Sequence, residues 1–146
     1  MRKALFTLSL AIAAIFAVNT AAAQQTDGAM IEFEKTLHDY GTIKQNGNGV
    51  YEFVFTNTGN QALLISNAKG SCGCTVPVWP KEPIAPGKTG VIKVKYDTKR
   101  VGPFSKSVTL TSNAVNEPTK VIRIKGVVKG APKGGAPANG TGAPAN

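Results

Sequence analysis

The chain has 146 residues, 42% of them hydrophobic and 17% charged, a formal net charge of +9, 16 glycines, 9 prolines, two cysteines and one histidine. That balance excludes a multi-domain enzyme, a disulfide-dense scaffold and a chain disordered throughout. It also leaves little for catalysis, because the eight carboxylates are scattered and no motif gathers them around the single histidine.

Arg2 and Lys3 form a positive start, Ala4 to Val18 an apolar stretch of 15 residues, and Ala21-Ala22-Ala23 supplies small side chains before Gln24. The pattern predicts a secretory signal peptide over residues 1–23. The run is shorter than the ~20 residues a membrane span requires, and Asn19 and Thr20 end it. No cysteine follows the cleavage point to carry a lipid. The mature chain is therefore expected to be periplasmic or secreted, with no membrane span, in an oxidising compartment.

Beyond Gln24, segments of period two recur between Gly, Pro and Asn clusters, and no window of 11 or more residues keeps a helical period. This is an all-β pattern. Strands are predicted near Met30 to Lys35, Tyr40 to Ile43, Val50 to Asn57, Ala62 to Lys69, Cys72 to Val76, Val91 to Tyr96, Phe104 to Thr111 and Val121 to Val128. Asn46-Gly47-Asn48-Gly49 and Thr58-Gly59-Asn60 supply residues tolerant of positive φ, Pro86-Gly87 reverses the chain, and Gly102-Pro103 and Glu117-Pro118 close further connections. The predicted fold is a single immunoglobulin-like antiparallel β-sandwich of about seven strands over residues 24–129, without the Cys…Trp…Cys spacing of antibody domains.

Alternation assigns faces. Ile92, Val94 and Tyr96 point to the core and Lys93 and Lys95 to solvent; Ile122 and Ile124 point in, Arg123 and Lys125 out. Two late strands thus carry basic ladders. Lys106 shares parity with Phe104, Val108 and Leu110, which requires either a β-bulge or a lysine at the sandwich end reaching outward; the second is the expectation. Residues 130–146, GAPKGGAPANGTGAPAN, hold no aliphatic larger than Ala and are expected to be a disordered tail.

His38-Asp39-Tyr40-Gly41-Thr42-Ile43, Phe53 to Gly59, Ser71-Cys72-Gly73-Cys74-Thr75, Ile84-Ala85-Pro86-Gly87 with Val91 to Tyr96, Gly102-Pro103-Phe104 and Thr111-Ser112-Asn113 form an ordered series. Over residues 32–129 the chain resembles the bacterial domain-of-unknown-function family fifteen seventy-three. The resemblance implies an exported Gram-negative protein with an immunoglobulin-like fold, distantly similar to PapD-like and ciliary Hydin-type domains, and implies no known activity.

Cys72 and Cys74 are the one constellation able to carry chemistry. On an extended strand they share a face. Bonding them directly requires Gly73 to bend the chain, since extended residues two apart lie near the upper end of the disulfide range of about 4.4–6.8 Å. Three readings stand: a structural pair; a Cu(I) or other thiophilic metal site, with His38 and Met30 as the only further ligands by type; and a redox pair, although CxxC is absent. His38 is otherwise expected to be a surface or strand-end residue, with Asp39 serving backbone donors at a turn. Trp79 is expected either to lid the sandwich end or to anchor a ligand.

After signal cleavage the charge is uneven, net −2 over residues 24–80 and net +9 over residues 81–146. An exported basic half meets anionic envelope polymers and acidic protein surfaces rather than nucleic acid. The sequence points to a non-enzymatic, monomeric binding or structural module of the cell envelope, with no cofactor. Its candidate binding residues are Lys93, Lys95, Arg123, Lys125 and Trp79, acting through the basic ladders or an exposed strand edge. The alternative is a metal or thiol redox protein using Cys72 and Cys74.

Overall fold

A computed structural model describes residues 27–132. The expected signal peptide lies outside the described residues, as does the tail beyond residue 132. Eight strands and no helix are present among the described residues: β1 (Ile31–Phe33), β2 (Leu37–Lys44), β3 (Val50–Asn57), β4 (Ile65–Gly70), β5 (Thr75–Val78), β6 (Thr89–Tyr96), β7 (Gly102–Ser112) and β8 (Thr119–Lys129). They form two four-stranded sheets, ordered β1-β3-β6-β5 and β2-β8-β7-β4.

This is the immunoglobulin-like sandwich. The eight strands answer the eight segments read along the sequence, one more than the sandwich of about seven that was expected. β1 lies antiparallel to β3 in one sheet, and after three residues the chain crosses to the other sheet as β2. There β2 runs parallel to β8 from Leu37↔Arg123 to Lys44↔Lys129, so the sandwich is not wholly antiparallel. Alternation along a strand fixes which face is buried but carries no information on the direction of its neighbour.

The two inner faces supply the core. Phe53, Phe55, Ile92 and Val94 from one sheet meet Val108, Leu110, Ile122 and Ile124 from the other, each at most 1% exposed. Tyr96 and Phe104 stack between the sheets at 3.8 Å. Turn chemistry follows the expected residues in part, since none of Thr58, Gly59 and Asn60 adopts a positive φ. Asn46 adopts φ 62°, and Gly87 adopts φ 75° in a turn closed by Lys88 N–H donating to the Ala85 carbonyl at 3.0 Å.

Two local expectations need correction, at Gly102–Pro103 and at the fifth strand, while at Lys106 the reading without a bulge holds. Gly102 and Pro103 do not close a connection; they open β7, opposite Val128 and Val127 of β8. Proline is tolerated there because β4 pairs with β7 only as far as Val108, so nothing requires a donor on that side. Lys106 keeps a regular ladder position opposite Ile124, with no bulge, and is half-buried. The strand expected at Cys72 to Val76 is displaced to Thr75–Val78, because a tight turn takes the cysteines.

Candidate functional site

The cysteines occupy the connection from β4 to β5. Ser71 N–H donates to the Ser107 carbonyl (2.8 Å), Ser107 N–H donates to Ser71 Oγ (3.2 Å), and Thr75 N–H reaches back to the Cys72 carbonyl (3.2 Å). Gly70 is required at its entrance: a Cβ there would overlap the Thr75 carbonyl oxygen. Within this turn Cys72 and Cys74 are joined as a disulfide, with Cα atoms 5.2 Å apart. The bend at Gly73 is what makes the bond possible, and the pair does not lie side by side on a strand face. Cys74 is 5% exposed, Cys72 is half-buried, and the hydroxyl of Thr75, itself 3% exposed, lies 3.6 Å from Cys72 Sγ and 3.8 Å from Cys74 Sγ.

Sulfurs bonded to each other present no thiolate to a metal, so a thiophilic ion at Cys72 and Cys74 requires the reduced pair. Among the described residues no three His, Cys, Asp or Glu side chains converge. Met30 is not a partner for the cysteines. Cys74 sits at the Val50↔Lys95 end of β3 and β6, where its carbonyl accepts from Asp97 N–H (2.9 Å). Met30 is tied to Asn57 at the other end, roughly 20 Å away along the strand.

An open groove of about 720 Å³ adjoins the disulfide turn. Its walls are the β2–β3 turn at Asn46–Gly49, the β6–β7 loop at Asp97–Lys99, and Gly73, Cys74 and Lys95. The two loops are bound together by Thr98 Oγ1 donating to the Gly47 carbonyl (2.8 Å) and Asn46 N–H donating to the Thr98 carbonyl (3.1 Å).

The four candidate cations divide between two surfaces. Lys93 and Lys95 lie on β6, outside the β1-β3-β6-β5 sheet; Arg123 and Lys125 lie on β8, outside the other. They are therefore not one basic face. Around Lys93 and Lys95 the surface is mixed: Lys93 pairs with Glu52 at 3.1 Å, and exposed Val76 and Val78 sit opposite Lys95 and Lys93. Around Arg123 and Lys125 the charged groups are nearly all cations, set among exposed Leu37, Val121 and Val127. Lys44, Lys69 and Lys129 are exposed on the same outer face, against one acid, Asp39, 3.4 Å from Lys125. Beside these cations runs the outward row of β7, Ser105, Ser107, Thr109 and Thr111. Sequence reading passed over this hydroxyl row, although its parity, opposite to Phe104, Val108 and Leu110, was a usable signal.

Trp79 is half-buried against the core, donates from Nε1 to the Ile65 carbonyl (3.2 Å) and carries Lys81 Nζ over its ring at 3.1 Å from the centroid. It packs as a lid. His38 is a half-buried strand residue of β2, stacked on Tyr51 at 3.5 Å and edge-on to Tyr40 at 4.4 Å. Loss of water there lowers its pKa below 6.5, with Asp39 opposing and Lys35 reinforcing the shift. Asp39 accepts from Gly41 N–H at 2.8 Å, a bond that holds its carboxyl below the ordinary carboxylate range. Burial pushes Tyr40 up to about 12 while its hydroxyl donates to the Gly49 carbonyl (2.9 Å).

Residues 31–128 match the model of a family described as a protein of unknown function, DUF1573. The chain belongs to the DUF1573 family. Among curated proteins none matches this DUF1573 chain in sequence. Solved structures share its fold at low identity. A protein of unknown function from Porphyromonas gingivalis W83 is similar at TM-score 0.62 and 16% identity, covering 75% of this chain and 51% of its own. The ASH/PapD-like domain 7 of human CEP192 is similar at TM-score 0.58 and 9% identity, over 88% and 99%. The VesB protease of Vibrio cholerae is similar at TM-score 0.56 and 16% identity, over 67% and 32%. The DUF1573 chain thus spans about half of the first protein and a third of the protease, and these likenesses establish the fold alone.

Proposed function

We propose that this DUF1573 chain is an exported binding module of the cell envelope, periplasmic or secreted, that holds an anionic envelope polymer on the outer face of the β2-β8-β7-β4 sheet. The observation that carries the reading is the arrangement of Arg123, Lys125 and Lys129 along one strand, with Lys44 and Lys69 on its flanks, against the single acid Asp39. Successive outward residues of a strand stand about 7 Å apart, so Arg123 and Lys125 are about 7 Å apart and Lys129 lies about 14 Å beyond Lys125, past exposed Val127, spacings that suit separated anionic groups. Arg123 forms no ion pair among the described residues, so its guanidinium is available for bidentate contact with a carboxylate or phosphate. A shallow depression of about 430 Å³, lined in part by Asp39, Thr42, Ser105, Lys125 and Val127, gives the face relief beside Lys125.

Strand edges support the reading less well. Pro77 removes a donor from β5, β2 is broken by a register shift between Asp39 and Thr42, and side chains occupy the edge of β1. The test compares two charge reversals of equal size on a dextran sulfate column. Arg123→Glu with Lys125→Glu is expected to remove salt-sensitive retention, whereas Lys93→Glu with Lys95→Glu lowers it only slightly. Equal elution of the two variants refutes the assignment to this face.

A further inference from the structure

We infer that the Cys72–Cys74 bond is a thiol–disulfide exchange site that oxidises a dithiol carried on a polypeptide. The first argument is what the bond does not do. A cross-link stabilises mainly by closing a loop in the unfolded chain, and the effect grows with loop length. This one spans a single intervening residue. The fold meanwhile rests on a continuous core from both sheets in which only Cys74 takes part fully. The second argument is asymmetry. Cys72 is half-buried and Cys74 buried, so an incoming thiolate reaches Cys72. Beside them Gly73 is exposed, with no heavy atom within 4 Å of where a side chain would stand.

The third argument concerns the leaving sulfur. Thr75 Oγ1 is buried within 3.6 Å of one sulfur and 3.8 Å of the other, placed to donate a hydrogen bond to the thiolate that appears as the bond opens. A hydrogen bond to the charged form lowers the leaving thiol's pKa, and a better leaving group speeds exchange. The adjoining groove carries Lys95 and Lys99 against one acid, Asp97, which is itself paired with Arg100 at 3.6 Å, so its balance favours negative charge. The groove, about 720 Å³ and continuing over Val76 at the free edge of its sheet, has room for an extended peptide rather than for a thiol alone.

The chemistry balances within one turnover. A substrate thiolate attacks Cys72 Sγ, the Cys72–Cys74 bond breaks, and its electron pair leaves on Cys74 Sγ. The substrate's second thiolate then attacks the substrate sulfur of the mixed disulfide and releases Cys72. The substrate loses two electrons and two protons to become a disulfide, and the pair takes them up as two thiols.

The test incubates the mature chain with a reduced synthetic peptide containing two cysteines and follows both partners by mass after alkylation. Stoichiometric oxidation of the peptide by the native protein is expected, at least tenfold slower in Thr75→Val and restored in Thr75→Ser. With the remaining cysteine first activated as a mixed disulfide with thionitrobenzoate, Cys74→Ser is expected to trap a single-cysteine version of the peptide on Cys72 as thionitrobenzoate leaves, and Cys72→Ser to trap it at least tenfold less. The reduced protein should keep its thermal midpoint within a few degrees. Reduction only after denaturation, unfolding on reduction, or equal trapping by the two single variants overturns the proposal. Reaction with reduced glutathione as fast as with the peptide overturns its polypeptide substrate. None of these outcomes depends on Arg123 or Lys125, so the anionic-face reading stands or falls separately.

Discussion

Asn57 shows how much one side chain can hold in a molecule of this size. It is fully buried, accepts from Met30 N–H (3.3 Å) and Gly59 N–H (3.0 Å), and donates to the carbonyls of Gln61 (2.7 Å) and Ile84 (2.9 Å). One amide thereby joins the entry to β1, the β3–β4 turn and the chain before β6. Asn57→Ala strands three of those backbone groups, the Ile84 carbonyl keeping its bond from Leu63 N–H (2.8 Å), and a loss of about 2–3 kcal/mol in urea unfolding is expected; a loss below about 0.5 kcal/mol would show that water replaces the amide. His38 makes a prediction in pH. Its folded pKa lies below 6.5, so the unfolded chain takes up a proton first as pH falls. Stability is expected to be level above about 6.5, to drop as pH falls from there to the folded pKa, and to level again below it as far as His38 is concerned. His38→Phe keeps an aromatic ring on Tyr51 and cannot titrate, so its stability should stay flat across that window. Parallel profiles for the two proteins would assign the drop to another group.

At the scale of elements, β1 is three residues long and survives because side chains complete it. Asn116 accepts from Ile31 N–H (3.0 Å) and donates to the Ile31 carbonyl (2.9 Å), behaving as the neighbouring strand that β1 lacks. Asn113 does the same for the segment before β4, accepting from Leu64 N–H (2.8 Å) and donating to the Ala62 carbonyl (3.0 Å). Both asparagines come from the β7–β8 connection, but only Asn116 covers a free edge, that of β1; Asn113 extends the β4–β7 ladder by one pair beyond Ile65↔Ser112. In Asn116→Ala the amide of Ile31 is expected to exchange at least tenfold faster while amides in β6 and β7 hold; uniform acceleration would instead mean global destabilisation. Gly59 fixes the same region from the other side. A Cβ there would overlap the Gly28 carbonyl oxygen and stand 2.5 Å from Met30 N, both backbone atoms that cannot swing aside. Gly59→Ala is expected to lower the thermal midpoint measurably, and an unchanged midpoint would show that the β1 entry is free to shift.

For the whole molecule, two sheets with their edges clamped, bent or interrupted by proline predict a monomer. Light scattering should give the mass of one chain over a wide concentration range, and a concentration-dependent dimer would reopen the edges as recognition surfaces. The proposed export predicts a mature chain beginning at Gln24. Intact mass of the protein recovered from the exported fraction of cells producing the full chain checks this directly, and an intact residue 1–23 segment would contradict it.

The sequence by itself determined the all-β class, the core and nearly every strand. Each depends on the period-two alternation of side chains, which is a local property of the backbone. Ile92, Val94 and Tyr96, or Ile122 and Ile124, reveal their burial through their immediate neighbours in the chain. Tertiary structure alone decided which outward faces coincide. Lys93 and Lys95 read the same as Arg123 and Lys125 along the chain, yet sheet order sends the two pairs to opposite sides of the sandwich. The crossing from β1 to β2, the parallel pairing with β8, the fourfold bonding of Asn57 and the approach of Thr75 to both sulfurs are likewise invisible to periodicity. They depend on contacts between residues far apart in sequence or on the closure of a turn, and side-chain alternation records neither.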